Sequence, residues 1–318
     1  KFLIFLIFAL FIPGYILIKR IGKNPLMMEI FLSLTSGFCL LTFISYISAL
    51  LKLPFIIYIF VFVSLVFFIV KKDYLNLKPD FKLFDLKNIL LFLIIIFGTF
   101  FQTLELIRSG WVYDFGIGFF GPLGHDGIWH QALINQLIVN VPPINPAFSS
   151  EILTNYHYFY DLLLAETFKL TQIPVLDLLY RFYPVLFSLI LGIGSYFICL
   201  KMLKNKAASI ISLFFIYFGG SFGWIVDLIK NREIGGESAF WINQPVSANL
   251  NPPFMISLLI LICAFLIFEE VVKNQKLLAQ VLFIFISGIL IEFKVYAGII
   301  LLGGLFTVAV RQILSERK

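Results

Sequence analysis

The chain has 318 residues, 60% hydrophobic, 18% aromatic and only 13% charged, with a net charge of +6. Soluble domains carry about 25% charged residues, and so few charges cannot cover a water-soluble surface of this size. An ordinary soluble enzyme, a disordered chain and a disulfide-rich secreted scaffold are excluded, which leaves an all-α, polytopic transmembrane helical bundle.

In chain order, the apolar runs between charged breaks predict nine spans, at 2–18, 28–51, 55–70, 88–107, 178–200, 207–229, 253–270, 277–292 and 295–310. The runs are continuous and of helix length for a hydrocarbon core about 30 Å thick, unlike the alternating strands of about 10 residues in a membrane barrel. Residues 1–87 read as an N-terminal set of spans, and 88–318 as a second module carrying one long loop, 108–177. The chain opens on Lys1 and closes on a charged stub, so whether it is a fragment lacking a C-terminal part is left open. Cys39, Cys199 and Cys263 are isolated in apolar runs, so neither a disulfide frame nor a cysteine metal site is expected.

Alternate loops differ in basic residues. The loops holding Lys19, Arg20 and Lys23, Lys71 to Lys87, Lys201 to Lys206, Lys273 and Lys276, and Arg311 to Lys318 carry twice the lysine and arginine of the other set. The excess marks them as cytoplasmic and puts loop 108–177 outside the cell membrane. Lysines spread over many short loops, with no aromatic-basic surface, do not point to nucleic acid.

Long loops tend to be functional. This one gathers Asp114, Asp126, Glu151, Asp161, Glu166 and Asp177 with all three histidines of the chain, His125, His130 and His157. A helix is predicted over 126–140, with Asp126 as N-cap and Trp129, Leu133 and Leu137 on an apolar stripe lying at the membrane surface. V-P-P-I-N-P ends it. A second helix is predicted over 156–170, with His157 and Asp161 on one face at i and i+4. Tyr156, Tyr158, Phe159 and Tyr160 suit an interfacial aromatic belt. Gly116, Gly118 and Gly121 spell G-x-G-x-x-G outside any βαβ unit, so they read as a flexible approach rather than a nucleotide fingerprint. The histidine spacing matches no compact zinc motif, and a divalent metal is left open. Each candidate has a plain structural alternative: Asp126 as a cap, His157 and Asp161 as a surface pair, Arg181 and Lys294 as snorkelling anchors.

The order H-D-G-I-W-H-Q-A-L-I-N-Q-L, P-P-I-N-P, N-Y-H-Y-F-Y-D-L-L-L-A, L-D-L-L-Y-R-F-Y-P-V-L-F-S-L, and then S-G-I-L-I-E-F-K-V-Y-A-G, resembles the GT-C superfamily of integral-membrane glycosyltransferases. The likeness is to the enzymes related to protein mannosyltransferases and lipid A aminoarabinose transferases, and it covers roughly 88–310. It implies a multi-pass cell-membrane enzyme with its active site on the extracytoplasmic face. Such an enzyme moves a sugar from a polyprenyl-phosphate donor to a glycan, lipid or protein acceptor. It further implies Asp126 as the catalytic carboxylate, with Tyr156, Arg181 and Lys294 at the substrates; His125, His130, His157 and Asp161 are expected beside them. Two departures stand out: about four spans precede the acidic residue, and His125 adjoins Asp126 where the family often has a second carboxylate. A lipid-sugar flippase using Glu105, Asp227 and Glu292, and a non-catalytic scaffold, are the alternatives. Against the flippase, no internal repeat or matched pair of Gly/Pro-broken segments is present.

Overall fold

A computed structural model describes residues 1–71, 74, 86–104, 106–148, 150–219, 223–232 and 245–316. The chain is an all-α bundle. Its helices are α1 (Phe2–Ile21), α2 (Leu26–Leu50), α3 (Phe55–Val70), α4 (Leu86–Leu104), α5 (Asp126–Val139), α6 (Phe159–Thr171), α7 (Val175–Leu203), α8 (Lys206–Phe218), α9 (Gly223–Asn231), α10 (Pro252–Asn274), α11 (Leu277–Phe293) and α12 (Val295–Glu316). Five of them, α1, α2, α7, α10 and α12, are long and apolar enough to cross a membrane, and α3, α4, α8 and α11 are shorter apolar helices. The run expected over 207–229 is interrupted, because α8 ends at Phe218 and a new helix starts at Gly223. Most of the basic loop 71–87, and Glu105, lie outside the described residues.

Helix α2 is the pillar of the bundle and packs against α1, α3, α6, α7, α10 and α11. Its hydroxyls are buried, and Thr42 and Ser45 turn back to the carbonyls of Phe38 and Leu41, each at 2.8 Å. This lets a polar side chain sit in an apolar bundle with its hydrogen bond satisfied. Two glycines allow α1 to cross α2 at backbone contact: a Cβ on Gly14 would lie 1.9 Å from Ser33 O, and one on Gly37 2.2 Å from Leu10 O. Small residues at such crossings are what bring apolar helices together where no water drives them. The outer walls of α3, α4, α8 and α12 present Phe62, Phe97, Phe215 and Phe306, all exposed. An apolar surface this extensive is unsuited to water.

The two ends of the bundle differ. At one end the short turns meet through basic groups. Lys276 Nζ donates to Ile21 O at 2.9 Å, Arg20 Nε to Tyr74 Oη at 3.0 Å, and Lys201 and Lys273 both pair with Glu269. At the other end lies the long connection between α4 and α7.

That connection is more ordered, and more deeply inserted, than expected. It begins with a hairpin, β1 (Trp111–Tyr113) antiparallel to β2 (Gly116–Gly118). Gly116 and Gly118 are therefore strand residues. A Cβ on Gly118 would lie 2.6 Å from Tyr113 Cε2, so a side chain there would displace that ring, and Gly121 turns the chain at φ +38°. The first loop helix lies against the second (α5 on α6), which in turn packs on α2. The middle of α6, Tyr160 to Ala165, is fully buried. Phe159 and Tyr160 are thus core residues rather than members of an interfacial belt, while Tyr156 and Tyr158 are half-buried.

Candidate functional site

The site is built where the N-terminal half of α5, the chain entering α6 and the turn between α11 and α12 converge. Helix α5 starts one residue differently from expectation. Its N-cap is His125, with no side-chain cap, and Asp126 is the first helical residue. Asp126 sits where the helix dipole favours an anion. Its side chain, 54% exposed, accepts from Nδ1 of the exposed His125 at 2.8 Å.

One turn on, His130 enters the interior. Its Nδ1 lies 2.8 Å from Oδ1 of Asp161, whose side chain has no exposed area. A carboxylate in that position fixes the ring orientation and leaves Nε2 as the nitrogen for a proton or ligand. Burial pushes the Asp161 carboxyl up from its ordinary range; the His130 ring and Lys294 act in the opposite sense. The expected His157–Asp161 pair does not form. Helix α6 begins only at Phe159, so His157 lies in the irregular segment before it and Asp161 faces α5.

His157 stacks on Tyr156, with ring centroids 4.8 Å apart, and Tyr156 Oη accepts from Trp129 Nε1 at 2.9 Å. Trp129 thus ties the two loop segments together instead of standing free at an interface. Burial, with Lys294 and His130 nearby, lowers the His157 pKa to about 4, so its ring is neutral at pH 7. Burial and then Asp161 push the Tyr156 phenol up to about 12. Tyr158, close to Tyr46 and Glu292, is likewise raised to about 12 by burial.

Lys294 is the cation of the site. It lies in the turn between α11 and α12, donates to Asn251 Oδ1 at 3.3 Å and sits 5.3 Å from the Tyr296 ring centroid. Burial lowers its pKa, while Asp126 and Asp161 pull it back up. The mutual influences of Asp126, His130, Tyr156, His157, Asp161 and Lys294 make them one electrostatic neighbourhood. Within it, His157 Nε2, Tyr160 Oη and Asp161 Oδ2 are buried with no hydrogen-bond partner among the described residues. Such orphans are uncommon and concentrate where a site is arranged for something other than stability.

Arg181 stands apart. It lies in a π-turn, Leu178–Phe182, within α7. Its guanidinium donates to Leu176 O and Ser109 O, both at 3.1 Å, pairs with Asp177 at 3.2 Å and lies 5.8 Å from the Trp111 ring centroid. None of these contacts is to a member of the cluster; they brace the hairpin against α7.

Two participants were not foreseen. Asn251 caps α10 by accepting from Phe254 N at 3.2 Å and also holds Lys294. Its one local signal is its place before Pro252-Pro253, a helix-start pattern. Just before it, Asn249 donates to Ser188 Oγ at 2.8 Å, Ser188 donates to Gln102 Oε1 at 2.8 Å, and Gln102 donates to Pro245 O at 2.7 Å. This buried network fixes the segment that presents Asn251. Among the described residues no group of three or more His, Cys, Asp or Glu is arranged to hold a metal ion.

Comparison with family models, with curated proteins and with solved structures finds no match to the chain.

Proposed function

We propose that the chain is an integral-membrane glycosyltransferase of GT-C type, acting at the extracytoplasmic face of the cell membrane. In this reading α3, α4, α8 and α11 cross the membrane with the five longer helices, giving nine spans. The loop between α4 and α7 then faces outward.

The observation that carries the reading is that an accessible carboxylate, Asp126, lies within electrostatic reach of a half-buried lysine, Lys294, without forming an ion pair with it. Sugar transfer from a lipid phosphate needs both. The acceptor hydroxyl attacks the anomeric carbon while the bond from that carbon to the phosphate oxygen breaks. Asp126 takes the hydroxyl proton, and Lys294 pairs with the negative charge left on the polyprenyl phosphate. The buried His130–Asp161 pair and the Trp129–Tyr156 bond hold the walls of the site. Arg181 shapes the loop through its three partners rather than meeting the phosphate.

A second reading makes His130, oriented by Asp161, the base. The 2.8 Å contact to a fully buried carboxylate favours it. A flippase has less support: Asp227 accepts from Asn231 on the exposed α9, and Glu292 adjoins Tyr158.

A radiolabelled polyprenyl-phosphate sugar presented to the purified chain in lipid tests the proposal. Release of the sugar onto an added acceptor supports it, whereas movement of the intact donor across the bilayer overturns it in favour of transport. Lys294→Ala should weaken donor binding by about 2–3 kcal/mol, the scale of a charge-assisted hydrogen bond. Unchanged donor affinity would leave Lys294 as a structural cation of the α11–α12 turn.

A further inference from the structure

The C-terminal half of α5 borders a cavity of about 400 Å³, formed with the end of α2, the start of α3, and α6. Ser45, Lys52, Tyr58, Asn140, Glu166 and Lys169 line it. Asp126 and Asn140 lie at opposite ends of the 14-residue helix α5, which separates the two sites by about 20 Å at 1.5 Å per residue.

Glu166 is the unusual member. The residue is only 3% exposed, and its carboxylate faces Lys169 Nζ at 3.7 Å, too far for a hydrogen bond. Burial pushes its carboxyl up from the ordinary range, and Lys169 offsets this in part. Lys169 thus compensates the charge of Glu166 as an ion pair and, at that distance, leaves the carboxylate able to accept a hydrogen bond from a ligand. Lys52, in the turn between α2 and α3, and Lys169, on α6, both line the cavity with Glu166, so it holds two cations and one anion.

The cavity is not closed. Tyr58 also lines a second, mainly apolar groove of about 470 Å³ between α1, α3 and α6, walled by Ile4, Phe8, Phe62 and Leu65. Tyr58 is common to both linings, so the charged pocket and the apolar groove are neighbours on either side of that side chain.

We propose that this composite groove binds a phospholipid whose headgroup carries a primary amine. Its ammonium donates to Glu166, its phosphate pairs with Lys52 and Lys169, and one acyl chain lies along α1 and α3. Each half of the ligand answers a feature that the other cannot. An anionic headgroup alone would meet the buried carboxylate. A trimethylated amine has no N–H to donate to it. A free phosphate leaves the apolar groove unfilled. The site does not depend on the transferase reading, since lipid retention and sugar transfer are measured separately.

Native mass spectrometry of the full chain, released from detergent with equal amounts of phosphatidylethanolamine, phosphatidylcholine and phosphatidylglycerol of identical acyl chains, tests it. Phosphatidylethanolamine should be retained about tenfold over each of the others, equivalent to about 1.4 kcal/mol. Glu166→Gln should remove the preference over phosphatidylglycerol, and Lys52→Gln, at an exposed position, should lower retention of phosphatidylethanolamine. Equal retention of the three lipids by the unaltered chain overturns the proposal without recourse to any variant. A preference that survives Glu166→Gln in folded protein overturns it as well.

Discussion

Asp126 and His157 show how differently two residues of one loop are set for proton chemistry. Asp126 is accessible, hydrogen-bonded at 2.8 Å to an exposed histidine, and does not cap its helix. Asp126→Asn keeps its size and removes its basicity, so transfer should fall by about 10²-fold or more, while stability of the detergent-solubilised chain falls by no more than about 1 kcal/mol, the scale of a helix-dipole charge. If Asp126→Asn retains transfer and His130→Gln abolishes it, the base is the His130–Asp161 pair. His157 has the opposite setting, with its pKa lowered to about 4 by burial, then by Lys294 and His130. An unfolded histidine titrates near 6.5, so between pH 6.5 and about 4 the unfolded chain binds the extra proton and the folded one resists it. The sign follows from linkage: stability is fully present above pH 6.5 and is lost as pH falls towards 4. Unfolding midpoints measured across pH 4–7 should fall with pH in the native chain. The fall should be smaller in His157→Gln; identical pH profiles would show that this ring is not what the acid attacks.

Arg181 links the hairpin region to α7 through Ser109 O and the Trp111 ring, and within α7 it meets Leu176 O and Asp177. Replacing it by alanine removes donors to two backbone carbonyls and the pairing with Asp177. Bonds from a charged donor contribute about 1.5–3 kcal/mol, so Arg181→Ala should cost about 2–3 kcal/mol of stability. Lysine, a point charge without the planar fork, should recover only part of it. A loss of donor affinity with an unchanged unfolding midpoint would instead put Arg181 at the phosphate. At this scale the sequence was informative for helix extent and much less so for side-chain partners. Long apolar runs gave helices close to where they stand, and V-P-P-I-N-P did end α5. Asp161 was misread because the local i, i+4 spacing pointed to His157, whereas its partner His130 lies 31 residues away on another helix. The burial of α6 was hidden for a related reason: Asp161 and Glu166 make it look like a surface helix, and only the neighbours supplied by the fold explain them. The link from Lys294 to Asn251 spans 43 residues and leaves no periodic trace.

Across the whole molecule the sidedness of the bundle decides whether the proposed chemistry is placed correctly. One end joins Lys19, Arg20, Lys201, Lys273 and Lys276 through hydrogen bonds and ion pairs to neighbouring turns; the other carries Asp126, Lys294 and the long loop. Basic residues are retained on the cytoplasmic side during insertion, so the first end should face the cell interior. In a chain whose own cysteines are replaced, Glu151→Cys should react with an impermeant thiol reagent in intact cells. Lys23→Cys and Lys204→Cys, all three positions being exposed, should react only after permeabilisation. The two ends lie at opposite termini of the same helices, so they cannot both be accessible from one side of a membrane. Labelling of Lys23→Cys and Lys204→Cys in intact cells, with Glu151→Cys protected, would turn the bundle over. Asp126 and Lys294 would then meet a lipid phosphate of the inner leaflet, and both donor and acceptor would have to be sought in the cytoplasm.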